Sequence, residues 1–422
     1  MKKKTILAVT KVLPLTLLLL TVQFSLNAQR VKDEALTYEY IQLPSEPVDQ
    51  TIKNYQSEIT QNFASENERL TEEYEAKMAE AKAKFDKEME EYLALVQAAE
   101  DKYAAEMKEW DEKPLGDKII EKQVLNENNK PVKHIPSEPR LDYVQPPTLQ
   151  REYEGDALAN TYLTLDGFTN DPANALKIEV IMYGFEYTNP RTVTEQKNIL
   201  KDGNTTKVNY YHVEFTYRHT MAVKVTDPQG KELFFLTPVE LNNYSKYATK
   251  ESTTSQTANK EALVSMHEEK IIQENLLFIK NLVNDKIGFK HQPRTVNLSY
   301  VQENKGEYND LLEAYNVTKS GLAMLIDNKT GAKEKLDQSI EMYEALISEA
   351  DLNDKKARIN SKVAIPIHFD LLECYFANDY LDKADNLLSS MNVISLDKKE
   401  AQLKEDFEKL LNDTKKRKEA NL

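Results

Sequence analysis

The residues able to do chemistry are few and scattered. Six histidines stand at His134, His212, His219, His267, His291 and His368. No two are four apart, so none forms the paired face of a helical zinc motif. His212 and His219 fall an odd number of residues apart on one expected strand and so point to opposite faces. His219 is on the apolar face and reads as a core residue. Cys374 is the only cysteine. It has no evident activating base and also reads as core. Ser395-Leu396-Asp397-Lys398 matches the SxxK motif once and reads as a chance match. No GxGxxG, P-loop or GxSxG motif occurs, and only 10 of 422 residues are glycine. Adjacent carboxylates such as Glu90 and Glu91 sit in a highly charged stretch. A glycosidase needs two carboxylates across a cleft, and sequence spacing does not supply that. The expectation is a chain with no catalytic residue, no cofactor and no metal ligand.

The N-terminus carries the most specific signal. Lys2, Lys3 and Lys4 precede an apolar run from Ile6 to Phe24, and Ala28 offers a small residue before Gln29. That order is a secretory signal peptide over residues 1–28. Lys11 and Pro14 interrupt the run, whereas a membrane span wants about 20 mostly apolar residues. No span is expected after cleavage, and no cysteine follows the cut to take a lipid. Loss of four lysines with the signal moves the formal charge from −15 to −19. Such a surface repels nucleic acid and anionic lipid. One thiol means no internal disulfide in an exported protein. The expected location is exported: periplasmic, outer-membrane-associated or outside.

The elements that would position any site come next. Residues 50–113 lack Gly and Pro and are rich in Glu, Lys, Ala and Met, which form helices well. Apolar residues recur mostly at steps of four and three: Tyr55, Ile59, Phe63, Leu70, Tyr74, Met78, Ala81, Phe85, Met89, Tyr92, Val96, Ala99, Tyr103, Met107 and Trp110. Phe63, Tyr74 and Phe85 are eleven apart, a period close to that of a straight helix. Glu73–Lys77 and Glu80–Lys84 take the helpful i, i+4 spacing. The expectation is a long helical arm over residues 50–133, with its weakest point at Gln61–Asn67 (QNFASEN). Near-identical pentapeptides, LPSEP at Leu43–Pro47 and IPSEP at Ile135–Pro139, bracket it. They read as the places where the arm leaves and rejoins a body.

That body reads as β structure. Alternation from Tyr211 to Val225 is a half-buried strand, Asp227-Pro228-Gln229-Gly230 a turn, and Leu233–Leu236 the return strand. Leu176–Tyr187 and Thr161–Phe168 read as further strands, and Thr295–Val301 as one more that returns to the body. A helix is expected over about 258–286. The fold class is therefore α+β: an antiparallel β-sandwich-like body with an inserted long helical arm and a C-terminal helical domain. The boundaries are 29–49 for an N-terminal segment joining the β body, 50–133 for the arm and its return, 134–304 for the β-rich domain and 305–422 for the helical domain.

In the stretch HFDLLECYFANDYLDKADNLLSSM, Leu371, Leu372, Tyr375, Leu381, Ala384 and Leu388 take the spacing of two packed helices. Upstream, Ser339 and Tyr343 occupy a similar small-then-aromatic pair. These positions resemble the tetratricopeptide repeat, a helix-turn-helix of 34 residues, with Tyr375 in a large-residue slot and Ala384 in a small one. The order of signal peptide, β domain and terminal repeats is similar to that of exported repeat proteins of Gram-negative bacteria. The resemblance implies stacked helices with a face for a partner.

The functional expectation is a non-catalytic, exported cell-envelope scaffold. Its partners are other envelope proteins or a second copy held through the arm. The expected seam is Tyr55, Phe63, Tyr74, Phe85, Tyr92, Tyr103 and Trp110. A second expectation is a glycan- or peptide-binding module in the β domain, drawing on Tyr143, Tyr187, Tyr244 and Tyr247. A third is a hydrolase whose site carries no recognisable motif.

Overall fold

The computed structural model describes residues 31–116, 118, 130–201, 203–255, 259–302 and 306–422. The expected signal peptide, residues 1–28, lies outside them. The fold is α+β. In chain order the elements are β1 (Val31–Gln42), β2 (Asn54–Gln61), α1 (Ala64–Glu112), α2 (Gly155–Tyr162), β3 (Thr169–Asn170), β4 (Ala175–Tyr187), β5 (Arg191–Lys201), β6 (Asn204–Thr226), β7 (Glu232–Leu236), β8 (Ser245–Ala248), α3 (Lys260–Ile287), β9 (Lys290–Val301), α4 (Asn309–Ala323), α5 (Lys329–Ser348), α6 (Ser361–Ala377), α7 (Leu381–Ser390) and α8 (Lys398–Ala420). They form two compact units. One comprises Ile52–Thr164 and Thr169–Lys280, the other residues 31–51, Leu165–Phe168 and Asn281–Leu422.

The first unit holds a seven-stranded sheet in the order β3-β2-β4-β6-β5, with β7 and β8 also on β6. Its described strands share this one sheet, where a sandwich would need two facing sheets. The polarity is mixed, because β2 runs parallel to β4 and to β3 while the other pairs are antiparallel. One face is apolar. Ile178, Val180 and Met182 of β4 lie opposite Val225, Val223 and Met221 of β6, and all six are buried. Burying each such side chain is worth about 1.5–3 kcal/mol. A register shift between Met182 and Phe185, at Gly184 with φ +99°, keeps Phe185 on that face beside His219. Pro190 lacks an N–H and separates β4 from β5. Asp227 Oδ1 accepts from the N–H groups of Gln229 and Lys231, both at 2.9 Å, which fixes the β6–β7 turn.

Three sequence expectations change here. Residues 54–61 form strand β2, not the first turns of a helix, so the helix begins only at Ala64. Residues 155–162 are helix α2, where a strand had been expected from Thr161. The i, i+4 pairs also differ: Arg69 takes Glu73, while Lys84 takes Glu88 and Asp142. α1 itself is 49 residues long, about 74 Å. It ends before Pro114, whose ring pushes Lys113 to extended backbone.

The second unit pairs β1 with β9, antiparallel along all of both strands. β1 was expected to join the β body, and β9 to return to it; instead the two form their own ribbon. The ribbon packs on α4 and α6, and the helices pack in chain order, α4 on α5, α5 on α6, α6 on α7 and α7 on α8. Gly321 lets α4 approach closely, since a Cβ there would lie 2.9 Å from Leu336 Cγ. Asp397 and Glu400 form a reciprocal capping box that starts α8. Asp397, an intervening residue of the lone SxxK match, is thus the helix cap.

Candidate functional site

The most distinctive construction is α1 with the segment that follows it. Residues 130–154 have no regular secondary structure. They run back along the helix as a strap. Lys133 Nζ bonds Glu100 at 2.6 Å, and Asp142 Oδ2 accepts from Lys84 Nζ at 2.8 Å. At the base, Asn67 Nδ2 donates to Gln150 O at 2.7 Å and Asn67 Oδ1 accepts from Gln150 N at 3.0 Å. Gln61 repeats the device on Tyr153, with bonds of 2.8 and 2.9 Å. The helix rises about 24 Å from Lys84 to Glu100 and about 26 Å from Asn67 to Lys84. The strap covers each stretch at about 3 Å per residue, the rise of polyproline II. Its half-buried positions include Pro136 and Pro139, then Val144, Pro147, Gln150 and Tyr153. Within each group the step is three residues, as a helix of three residues per turn requires.

The strap changes the reading of the aromatic seam. Tyr74, Phe85, Tyr92, Tyr103 and Trp110 do share one stripe of α1, but each is half-buried. Tyr55 and Phe63 are buried. The first lies on β2 and the second at the N-cap of α1, so neither belongs to the arm's surface. IPSEP lies between the Lys133 and Asp142 contacts, beside the middle of the helix, and the strap rejoins the sheet at Gln150–Tyr153. LPSEP belongs to the other unit, where the N–H groups of Ser45 and Glu46 bond the carbonyls of Asp285 and Lys286 at 3.1 and 2.7 Å. The overlooked signal was proline spacing: Pro136, Pro139 and Pro147 mark half-buried strap positions. Several other apolar residues of the helix and the strap stand in solvent. Tyr143 is 84% exposed, Leu93 60% and Leu95 58%, with Val132, Ile135, Leu141 and Leu149 also exposed.

In the helical unit, Leu371, Leu372, Tyr375, Leu381, Ala384 and Leu388 are all buried, as are Ser339 and Tyr343. They are packing residues. The unit also holds buried charge that the sequence did not announce. Arg294 grips Glu373 with two bonds of 2.8 Å, and the Tyr38 hydroxyl donates to the same carboxylate. Among the described residues Asp370 accepts only from Ser299 N, at 3.1 and 3.3 Å, and burial pushes its carboxyl well above the usual range. Cys374 is buried, and burial raises its thiol. His368 is buried, its Nδ1 within 2.6 Å of Ala364 O.

In the sheet unit His219 is buried, and desolvation lowers it to about 4. Asn275 Nδ2 bonds its carbonyl at 3.1 Å. His267 sits against Tyr247, Tyr217 and Phe215, with ring centroids 4.2, 4.5 and 5.5 Å away. Glu214 is clamped by Arg191 and Lys246, which hold its carboxyl down at about 2. Among the described residues, no group of His, Cys, Asp and Glu could hold a metal ion, and no helix is long and apolar enough to cross a membrane.

A cavity of about 650 Å³ lies in the helical unit. It is walled by the end of β1, the α4–α5 connection, the end of α6 and α8. Arg417 stiffens this wall, donating to Leu43 O at 3.0 Å, Asp285 Oδ1 at 2.8 Å and Asp413 Oδ2 at 2.7 Å. Compared with known proteins, the chain has no significant match to a family model, a curated sequence or a solved structure.

Proposed function

We propose that this protein is a non-catalytic scaffold of the cell envelope, exported by its N-terminal signal. It captures other envelope proteins with the strapped arm, while the tetratricopeptide-like helical stack provides a second surface. The observation that carries this reading is the arm. A long helix and a strap pinned along it hold Leu93, Leu95, Leu141 and Tyr143 in solvent, where a monomer gains nothing from them. Ordering the strap costs backbone entropy, so the surface it presents is held in advance for a partner. α1 is rich in Glu and Asp on its outer positions, which favours a partner with apolar residues ringed by Lys and Arg over a second copy of the same acidic helix.

The test is crosslinked pull-down from native envelopes with wild type and a Leu141→Asp/Tyr143→Glu variant. Both side chains are exposed, so the fold should survive. Loss of crosslinked partners in the variant supports the reading. Unchanged pull-down, with unchanged sedimentation, removes the arm from the function.

A further inference from the structure

The cavity in the helical unit has a chemistry of its own. Tyr40, Phe289, Leu325, Ile326 and Phe376 supply an apolar lining, and four cations, Lys329, Lys333, Arg417 and Lys418, line it too. Three of the four are committed. Lys333 bonds Asp337 at 2.9 Å and the Tyr380 hydroxyl at 2.5 Å. Arg417 is held by Asp285 and Asp413. Lys418 pairs with Asp379, the one acidic residue of the lining. Lys329, the first residue of α5, is exposed and has no ion pair among the described residues. The cavity thus joins an apolar interior to a single uncommitted positive charge.

We propose that this cavity binds an amphiphile: an apolar chain ending in one anionic group, with Lys329 meeting the charge. The volume is within the range of small-molecule sites, which are mostly apolar with a few placed polar groups. The charges select among chain-like ligands. An amine head would meet a lysine whose neighbours are already balanced, and an alcohol head would leave that lysine unused. An anion is the head group that gains from it. The Tyr40–Phe376 edge-to-face pair, with centroids 5.1 Å apart, and the Arg417 bonds set the wall before any ligand arrives. This site and the arm are carried by different residues, so either reading can fail without the other.

The probe is dodecanoate, titrated calorimetrically into the purified protein below its micelle concentration. Dodecan-1-ol and dodecylammonium serve as comparators. Dodecanoate should bind best and should weaken as salt rises. Lys329→Glu, an exposed change that breaks no ion pair, should weaken dodecanoate by roughly fivefold or more and leave dodecan-1-ol unaltered. Ala377→Trp, which fills the cavity, should weaken both, with circular dichroism confirming the fold. No binding of dodecanoate, equal affinity for the alcohol, tighter binding of the amine, or an unchanged Lys329→Glu affinity overturns the proposal.

Discussion

The side-chain amide of Asn67 and the backbone of Gln150 exchange two hydrogen bonds, at 2.7 and 3.0 Å, as two strands would. Asn67 is buried in the first turn of α1, and Gln150 is the point where the strap reaches the sheet. Gln150 Oε1 in turn accepts from Phe185 N at 2.9 Å. One strap residue therefore ties the helix to β4. Asn67→Ala should lower stability by about 1–3 kcal/mol, because it leaves the Gln150 N–H and C=O without partners. It should also speed limited proteolysis between residues 130 and 150, and a cleavage rate equal to wild type would show that the strap is held elsewhere.

Proline should matter to the strap through the unfolded chain as much as through contacts. Pro136 and Pro139 fix φ near the polyproline value and limit the conformations to be lost on docking. Replacing both with glycine should cost about 1–2 kcal/mol locally. Hydrogen exchange and proteolysis should rise across residues 130–150, while the global melting temperature moves little. A large global shift would mean that the strap and sheet unfold as one unit.

Much of the arm was legible because its cause is local. Helix formers without Gly or Pro, an apolar step of three and four, and Pro114 at the end define α1 with no help from the rest of the chain. The weak patch at Gln61–Asn67 was also readable as an interruption, and its Gln61 and Asn67 side chains turn out to hold the strap. The start was not readable. Tyr55, Ile59 and Phe63 fit a helical step, and only the parallel pairing of β2 with β4 makes residues 54–61 a strand, a tertiary effect that overrides propensity. β5 escaped notice because Thr192, Thr194, Gln196 and Asn198 give a polar edge no apolar alternation. Leu163 and Leu165 alternate as a strand should and are buried. Yet Gly167, at φ +86° against the Phe289 ring, turns the chain away. The cavity lining comes from six separate stretches, so no local pattern could foretell it.

Arg294 and Glu373 form the ion pair whose disruption should cost most. Glu373 is nearly fully buried, and the Arg294 guanidinium also lies over Phe407, 4.9 Å from the ring centroid. Arg294→Met leaves a buried carboxylate with only the Tyr38 hydroxyl, which should destabilise the protein by about 3–5 kcal/mol. Adding Glu373→Met should recover much of that loss, since apolar replacement of a buried pair is often close to neutral. Denaturant titration of both single variants and the double gives the coupling. Additive losses would show that the two groups are stabilised independently.

His219 should give the protein an acid limb of known sign. Burial holds its imidazole down at about 4, against about 6.5 in the unfolded chain. Between those values the unfolded chain takes up a proton that the folded one refuses. The contribution is therefore fully present above about pH 6.5 and is lost as pH falls towards 4, by at most about 3 kcal/mol. His267 and His368 are lowered by burial as well and act in the same direction. His219→Gln keeps a polar side chain but cannot charge. Its urea midpoint should drop less than that of wild type between about pH 7 and about pH 5. Equal drops in the two proteins would place the acid sensitivity in the other histidines.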